Sequence, residues 1–380
     1  MTPRFARAIG SAGVLALALL AGCAQAPAPS AGGSAGGSAG PAAGGPCSRT
    51  VQNDFAPPAE KPAGFQDGFT VALVRQSGVG DYFEQWGRGA QAQIEAAGGK
   101  VTSYDARGDN ARQVSLFNDA IAAKPKVIIV DHGLADSVNP KIDEAINAGI
   151  PVVVYDVNIA NCKATYISQD DQSIATKILD YMKQDNPSGG KVAYVNVSGI
   201  APLDSRDAVY KEFLAANPSF TQSARFGKYT ESVAADTATE GAAALKAAPD
   251  TTLAFAAYDE LAKGTLIALR QNNLSEKVKV YGVDVSTADI QLMTEAGSPW
   301  RATAATDPAN VGAIVARTAI AASAGVTTPQ KLTIPAALIT QDTLRQGGVT
   351  NMDQLRTALP ELSTPNIVSA PWIPQIKPGT

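Results

Sequence analysis

The sequence is poor in the residues on which many catalytic and metal sites depend. Its 380 residues include one histidine, His132, and three cysteines. Metal sites built from several histidines are therefore excluded, and a serine triad would have only His132 as its base. Acidic residues (35) slightly outnumber basic ones (31), for a net charge of −4. This balance gives no electrostatic reason to expect a nucleic-acid partner. His132 follows an apolar run, which places it at a cleft or in a polar loop, and we interpret it as a loop residue.

Cofactor and nucleophile motifs are missing as well. The sequence contains no Walker loop, and no Gly-x-Ser-x-Gly elbow lies between a predicted strand and a predicted helix. Residues 78–83 begin like a dinucleotide fingerprint, but Phe83 stands at the third glycine, where a side chain blocks close helix–strand approach. We therefore predict no cofactor and no enzymatic activity. An enzyme on a doubly wound fold is kept as an alternative.

The first residues are typical of an export signal. Two arginines precede an apolar segment over residues 9–20, which is shorter than the roughly 20 residues needed to span a bilayer. The LAGC sequence that ends at Cys23 resembles the lipobox of bacterial lipoproteins. That resemblance implies cleavage before Cys23 and lipidation of its sulfur. An ordinary signal peptide with an incidental cysteine is the alternative.

A spacer of low complexity follows this segment. Residues 24 to 62 consist largely of Ala, Gly, Ser and Pro, with GGSAGGSAG near the centre, a composition typical of a flexible linker. We predict a lipid-anchored tether that holds a globular body near a membrane. Cys47 near the end of the tether and Cys162 in the body either form a disulfide or remain free thiols.

The globular part begins with the stretch FTVALVRQSGVGDYFEQWGRGAQAQIEAAGG, residues 69–99. A dense apolar run predicts a strand buried on both faces. A glycine-rich turn follows, and then Phe83, Trp86, Ala90 and Ile94 recur at helical spacing. Strands and helices alternate to residue 155, with one helix expected over residues 140–148, and the pattern restarts at residue 192. It predicts an α/β protein with two doubly wound parallel-sheet lobes and a ligand cleft beyond the strand ends.

Acidic side chains lie at or just after the ends of predicted strands in both lobes. These are Asp131, Asp156 and Asp284. An ionised carboxylate accepts hydrogen bonds from hydroxyl groups, and nearby aromatic residues can cover the C–H faces of a ligand. The alternative is that each aspartate caps the following helix. Their recurrence in both lobes favours a polyhydroxylated ligand.

Five stretches carry a family resemblance between residue 68 and about residue 344. They are FTVALVRQSGVGDYFEQWGRGAQ, AGIPVVVYDVN, AAYDELAKGTLIAL, VYGVDVSTADIQLM and ATAATDPANVG. In this order and spacing they resemble the type I periplasmic solute-binding proteins of the ribose- and galactose-binding kind, the receptors of ABC sugar importers. The resemblance implies two lobes joined by three crossover segments near Ser168, Thr306 and Leu338. These segments act as a hinge, and the lobes close on a ligand between them.

Carried over by position, the resemblance implies ligand contacts from both lobes. Sugar binders often have Asp-Arg where this chain has Asp156-Val157, and Asn158 is expected to supply some of the missing hydrogen bonding. The candidate ligand-binding residues are Gln76, Tyr82, Phe83, Asp156, Asn158, Arg206, Tyr258, Asp284 and Thr306.

The predicted layout is a signal peptide (1–22), a tether (23–67), a first lobe (68–168 and 307–336), a second lobe (169–306 and 337–345) and an irregular tail (346–380). We expect the tail to pack along the body through Trp372. The predicted function is that of an extracytoplasmic lipoprotein, anchored to the bacterial cell membrane through Cys23. It binds a sugar or polyol and delivers it to an ABC permease. A sensory receptor of the same fold is an alternative.

Overall fold

The computed structural model describes residues 50–377, which fold as alternating strands and helices. The predicted signal peptide, the lipidation at Cys23 and the cysteine at position 47 lie outside this range. The strands are β1 (Thr70–Arg75), β2 (Lys100–Asp105), β3 (Val127–Asp131), β4 (Val152–Tyr155), β5 (Thr165–Gln169), β6 (Gly190–Val195), β7 (Phe220–Phe226), β8 (Leu253–Ala256), β9 (Lys279–Val283), β10 (Trp300–Ala305), β11 (Lys331–Ile334) and β12 (Ala337–Thr340).

Eleven α-helices lie between and after these strands within the described range. They are α1 (Asp81–Ala96), α2 (Asn110–Ala122), α3 (Ala135–Asn147), α4 (Asp171–Asp185), α5 (Ala201–Ala216), α6 (Val233–Ala247), α7 (Asp259–Gln271), α8 (Thr287–Thr294), α9 (Pro308–Ser323), α10 (Gln341–Gln346) and α11 (Met352–Ala358). Of these helices, none is both long enough and apolar enough to cross a membrane.

The strands form two six-stranded sheets, one in each lobe. The first sheet has the order β11-β5-β4-β3-β1-β2 with every pair parallel. The second has the order β12-β10-β9-β8-β6-β7, and only β12 is antiparallel to its neighbour. Central strands such as β3 (VIIVD) are buried along their whole length, because helices cover both faces of a parallel sheet. The predicted class of two doubly wound lobes is confirmed.

The chain passes between the lobes three times. It crosses after β5, which ends at Gln169, after β10, which ends at Ala305, and between β11 and β12. After the second crossing, α9 packs in the core of the first lobe together with Trp86 and Ile94 of α1. Three short crossings are the hinge that the resemblance implied, because few residues need to change their backbone angles when the lobes move.

Helices α1 and α9 approach each other closely enough to require glycine. A Cβ built on Gly312 would lie 2.0 Å from the carbonyl oxygen of Trp86, and one built on Gly89 would lie 2.0 Å from that of Ala309. Both neighbours are backbone atoms, which cannot swing aside as the end of a flexible side chain can. The glycine pair therefore fixes α9 against α1 in the first lobe.

Several elements differ from those expected from the sequence. Helix α3 begins at Ala135, before the expected start at residue 140, and carries Pro140 inside it. In α1 the buried stripe contains Tyr82, whereas Phe83 is only partly buried. Strands β5, β7 and β11 and helix α4 were not expected. Strand β7 (FTQSARF) is polar and largely exposed along its middle, because it lies at a sheet edge.

The residues just before β1 lie against the first lobe instead of continuing a free tether. Val51 pairs with Lys331 as an isolated parallel bridge. The Asn53 side chain donates to the Thr333 carbonyl (2.6 Å) and accepts from the Thr333 amide (2.9 Å). Cys162 is disulfide-bonded, and its partner lies outside the described residues.

The tail is partly ordered as α11 and a 3-10 turn at Pro360–Leu362, so the expectation of an irregular tail is wrong over these residues. It first packs in the core of the second lobe through Met352 and Leu355. It then packs in the core of the first lobe through Val368 and Ile373. The indole nitrogen of Trp372 donates to the Pro58 carbonyl (2.8 Å). The tail is thus a fourth segment that contacts both lobes.

Candidate ligand-binding site

Three residues that directly follow strands have the same strained backbone conformation. His132 follows β3, Asp156 follows β4 and Asp284 follows β9, with φ angles of 59°, 51° and 70°. This left-handed region is costly for residues with a Cβ, and such strain concentrates at binding and catalytic sites. All three side chains are buried. The carboxyl ends of both sheets therefore aim polar side chains at the space between the lobes.

In the first lobe a chain of charged groups leads from the sheet to this space. Arg75 Nε donates to Asp131 Oδ2 (2.7 Å), and His132 Nδ1 lies 2.8 Å from Asp131 Oδ1. His132 Nε2 lies 3.8 Å from Asp156 Oδ2. Burial lowers the pKa of His132, but the hydrogen bond to Asp131 and the charges of Asp131 and Asp156 together outweigh it, so that pKa is raised. Nδ1 therefore carries a proton for Asp131, and Nε2 faces Asp156.

In the second lobe one buried arginine lies between two carboxylates. Arg206 donates to Asp171 Oδ1 through Nε (3.0 Å) and lies 2.8 Å from the same oxygen through Nη2. Its Nη1 donates to the Ala257 carbonyl (2.6 Å) and lies 3.8 Å from Asp284 Oδ2. Only 2% of Arg206 is exposed. This geometry fixes the guanidinium and leaves Asp284 only partly compensated.

Several polar atoms of the cluster lack a hydrogen-bond partner among the described residues. Both carboxylate oxygens of Asp156 and Oδ1 of Asp284 are buried without a hydrogen-bond partner among residues 50–377. Burial, with the Asp171 charge, raises the pKa of Asp156 to about 8, and burial raises that of Asp284 to about 6. Buried acceptors without partners are costly. Hydroxyl groups of a ligand, which both donate and accept, would pair with the Asp156 carboxyl group, protonated or ionised, and with Asp284.

Apolar and aromatic side chains form the rest of a cavity beside this cluster. The Tyr82 and Tyr155 hydroxyls are hydrogen-bonded at 2.5 Å, and the ring of Phe83 meets His132 edge-on at a centroid distance of 5.1 Å. The cavity measures about 40 Å3 and is lined by Gln76, Tyr82, Phe83, His132, Gln169, Ile200, Pro202, Leu203, Arg206, Tyr229, Tyr258 and Asp284. Polar groups thus face one part of a bound molecule and apolar groups another.

The structure brings most of the sequence-predicted site residues together. Gln76, Tyr82, Phe83, Arg206, Tyr258 and Asp284 line the cavity, and Asp156 is buried next to His132. Thr306 is buried at the second crossing, where its hydroxyl donates to Gln169 Oε1 (2.7 Å), so it positions a lining residue. That these residues contact a ligand remains a prediction.

One predicted residue does not join the group. The Asn158 side chain is exposed, and its carbonyl accepts a hydrogen bond from Asn139 Nδ2 (3.0 Å). The reason is that Val157 is fully buried in the core of the first lobe, which turns the following residue outward. The expectation for Asn158 is therefore corrected.

Sequence reasoning missed several residues at the site. His132 was interpreted as a loop residue, yet it lines the cavity, and the signal was its position after a strand, as for Asp156. Asp171 begins α4, which was not expected. Tyr229 comes from the loop after β7, and its hydroxyl donates to Gln76 Oε1 of the other lobe (3.2 Å).

Two doubly wound lobes with a lined cavity between their strand ends define a two-lobed binding protein. Residues 71–326 match the family described as periplasmic binding protein domain, and the chain belongs to this family. Its resemblance to the type I periplasmic solute-binding proteins is thereby confirmed. The family and the relatives below are binding proteins, and such proteins act outside the cytoplasm.

Similar proteins include two solved structures and one curated sequence. The 5-methylthioribose transporter solute binding protein from Thermotoga lettingae, in complex with 5-methylthioribose, is 38% identical, with 83% of this chain and 98% of that chain covered and a TM-score of 0.80. A sugar ABC transporter from Yersinia enterocolitica is 29% identical, with 82% and 93% covered and a TM-score of 0.76. The ribose import binding protein RbsB of Escherichia coli K12 is 25% identical over 220 residues, 57% of this chain and 72% of the relative.

Proposed function

We propose that the protein is the solute-binding component of an ABC importer and binds a sugar between its lobes. The observation that carries this proposal is the pair of buried carboxylates without full partners, Asp156 from the first lobe and Asp284 from the second. A ligand with hydroxyl groups would donate to both. Because the two acceptors belong to different lobes, such a ligand would hold the lobes together.

The ligand class is proposed to be a pentose or a pentose derivative. The Thermotoga lettingae relative holds 5-methylthioribose, and the Escherichia coli relative is a ribose import binding protein. The wall formed by Ile200, Pro202 and Leu203 suits a part of the ligand that has no hydroxyl group. 5-Methylthioribose and ribose are therefore the first compounds to test.

Binding is proposed to proceed by hinge closure. The cavity of about 40 Å3 has room for only about three water molecules, so a sugar reaches the site only when the lobes stand further apart. Contacts to Asp156 and Asp284 then favour a closed arrangement, because they form together only when the lobes meet. The closed form presents a surface composed of both lobes to a permease.

The protein is further proposed to be anchored to the outer face of the cell membrane through lipidated Cys23. The LAGC sequence after an apolar segment and the spacer behind it support this anchor. Residues 50–67 contact the first lobe (Val51 with Lys331, Asn53 with Thr333). The tether would therefore join the globular part at the first lobe, and the second lobe would be free to move.

A thermal-shift screen tests the proposal. Ribose, 5-methylthioribose, hexoses and polyols are added to the full chain and to Asp284→Ala. A true ligand stabilises the folded state by mass action, by about 2.7 kcal/mol at a concentration one hundred times its dissociation constant. Asp284→Ala should lose this shift, whereas Asp250→Ala, at an exposed position, should keep it. The absence of a shift with every sugar would overturn the proposed ligand class. Loss of labelled-sugar uptake after deletion of the gene tests the link to transport.

A further inference from the structure

A second cavity lies next to the first, at the outer side of the cleft. It measures about 240 Å3, against about 40 Å3 for the inner one. Phe83, Tyr229 and Tyr258 line both cavities. A molecule that occupied both would pass among these three rings. The outer cavity therefore borders the proposed sugar site.

A buried polar group without a partner lies where the two cavities meet. The hydroxyl oxygen of Tyr258 has no hydrogen-bond partner among the described residues, and only 6% of this residue is exposed. A buried hydroxyl without a partner is costly. An oxygen atom of a ligand at the junction of the two cavities would satisfy it.

The lining of the outer cavity indicates what kind of group it takes. Val79, Val233 and Ala234 contribute apolar surface, and Val79 is 47% exposed, one of few large apolar side chains exposed to this degree in the described range. Glu231 and Glu260 also line it, but no lysine or arginine does. Lys263 Nζ is already paired with Glu260 (2.8 Å), so the lining residues offer a phosphate or carboxylate no unpaired positive charge. The lining therefore suits an uncharged, apolar group.

We propose that the outer cavity is a second subsite, which binds an uncharged apolar substituent of the sugar held in the inner cavity. The preferred ligand is then a substituted pentose or a pentoside, within the ligand class proposed above. This inference rests on the proposed function, since it requires a sugar in the inner cavity. It adds that Tyr258 and the residues around Val79 determine specificity for the substituent.

Two pairs of ribose derivatives test the subsite by calorimetric titration of the full chain. One pair is methyl and phenyl ribofuranoside, which carry the substituent at the anomeric carbon. The other is the methyl and benzyl ether at the primary hydroxyl, at the far end of the sugar. In at least one pair the aromatic compound should bind roughly tenfold more tightly than its methyl counterpart, because burial of a ring is worth about 1.5 kcal/mol or more.

A bulky substitution supplies the matched control. Ala235 is exposed in the first turn of α6 and lines the outer cavity, so Ala235→Phe should fill it and remove the advantage of the aromatic compound. The methyl compound should bind as before. Ala243→Phe adds the same ring at an exposed position of the same helix outside the cavity and should change neither affinity.

The outcomes separate the subsite from the proposed function. If the methyl compounds bind but neither aromatic compound binds more tightly, the subsite is overturned and the sugar site stands. The subsite is also overturned if Ala235→Phe weakens the methyl and the aromatic compound equally. If no compound of either pair binds, both the proposed subsite and the proposed pentose ligand are contradicted.

Discussion

Lys263 of the second lobe and Asp81 of the first lobe form an ion pair across the cleft, with 2.6 Å between Nζ and Oδ2. Three carboxylates of the second lobe also surround this ammonium: Asp259 at 3.7 Å, Glu260 at 2.8 Å and Asp289 at 3.3 Å. Burial lowers the pKa of Lys263, but these carboxylates outweigh it and raise that pKa. The lysine is therefore charged and held in place by its own lobe, and Asp81 is the partner that closure adds.

Substitution of Asp81 should weaken closure and hence ligand binding. The Asp81 side chain is 40% exposed, so solvent screens the pair, and we expect Asp81→Asn to lower affinity for the sugar by at most about fivefold. The loss should shrink as salt is added, because salt screens exposed charges. Titration calorimetry at low and high ionic strength measures both effects.

Glu84→Gln is the control for this substitution. Glu84 is also acidic and in the first turn of α1, but its partner Arg88 (3.5 Å) belongs to the same helix. Both changes remove a favourable charge from the helix N-terminus, and only Asp81→Asn removes a contact between the lobes. Equal losses of affinity would contradict an interlobe role for the pair.

Asp156 should make the ligand-free protein less stable as pH rises. Its pKa is raised from 3.8 to about 8 by burial and by the nearby Asp171 charge. Because the folded-state pKa of Asp156 lies above the unfolded value, its proton favours the folded state. This contribution to stability is present at acid pH and is lost as pH rises to about 8. Asp156→Asn should therefore be more stable than the wild type, and the difference should grow with pH by at most about 1.4 kcal/mol per unit.

Chemical denaturation between about pH 5 and pH 9 measures this difference. Asp171, His132 and Arg206 face position 156 in the wild type and in Asp156→Asn. The pH dependence that these three groups cause is therefore largely the same in both proteins. Asp250→Asn, at an exposed position, should show no growing difference. A stability gap between Asp156→Asn and wild type that stays constant with pH would mean that Asp156 is not buried as an uncompensated acid.

The glycine contact between α1 and α9 should not tolerate a methyl group. In Gly312→Ala the new Cβ would meet the carbonyl oxygen of Trp86, which lies 2.0 Å from its ideal position. The helices would have to separate, and we expect a loss of about 2 kcal/mol or more in the free energy of unfolding. Ala96→Val, at an exposed position of α1, adds bulk without this contact. If the two variants were equally stable, the close approach of the helices would be in doubt.

How much the sequence reveals depends on whether a feature is local. Strand β3 is a β-branched run, and α1 shows its apolar repeat, so both could be predicted from adjacent residues. The positions of Asp156 and Asp284 after strands could also be predicted, because strand ends in a parallel sheet share one edge. Asn158 could not, because its outward position depends on how Val157 packs.

Contacts between distant segments were the least predictable. The Tyr229 hydroxyl reaches Gln76 only because the loop after β7 faces the first lobe. Asp171 joins the site because the chain crosses between lobes just before it. Helix α4 itself was detectable, since Ile174, Ile178 and Met182 repeat at helical spacing and are buried. The polar crossing before this helix interrupts the apolar pattern and hides its start.

The tail should stabilise the first lobe by supplying partners to buried polar groups of α9. Arg317 is only 2% exposed, and its guanidinium donates to the carbonyls of Ile367 (3.1 Å) and Thr364 (3.4 Å). Burial lowers the pKa of Arg317 to about 10, which reflects the cost of placing this charge inside the protein. Truncation after Leu362 would remove both carbonyls and the apolar cover from Val368 and Ile373, so we expect a large drop in melting temperature.

A double-mutant cycle isolates the arginine from the apolar cover. In the full chain, Arg317→Met removes a charge that has partners, and it should cost stability or change it little. In the truncated chain Arg317 has lost these carbonyls, so the same change removes no contact with the tail and should be less destabilising than in the full chain. Melting temperatures of the four proteins give the coupling. An equal effect of Arg317→Met in both backgrounds would show that the tail acts through apolar contacts alone, and the assigned role of its carbonyls would be wrong.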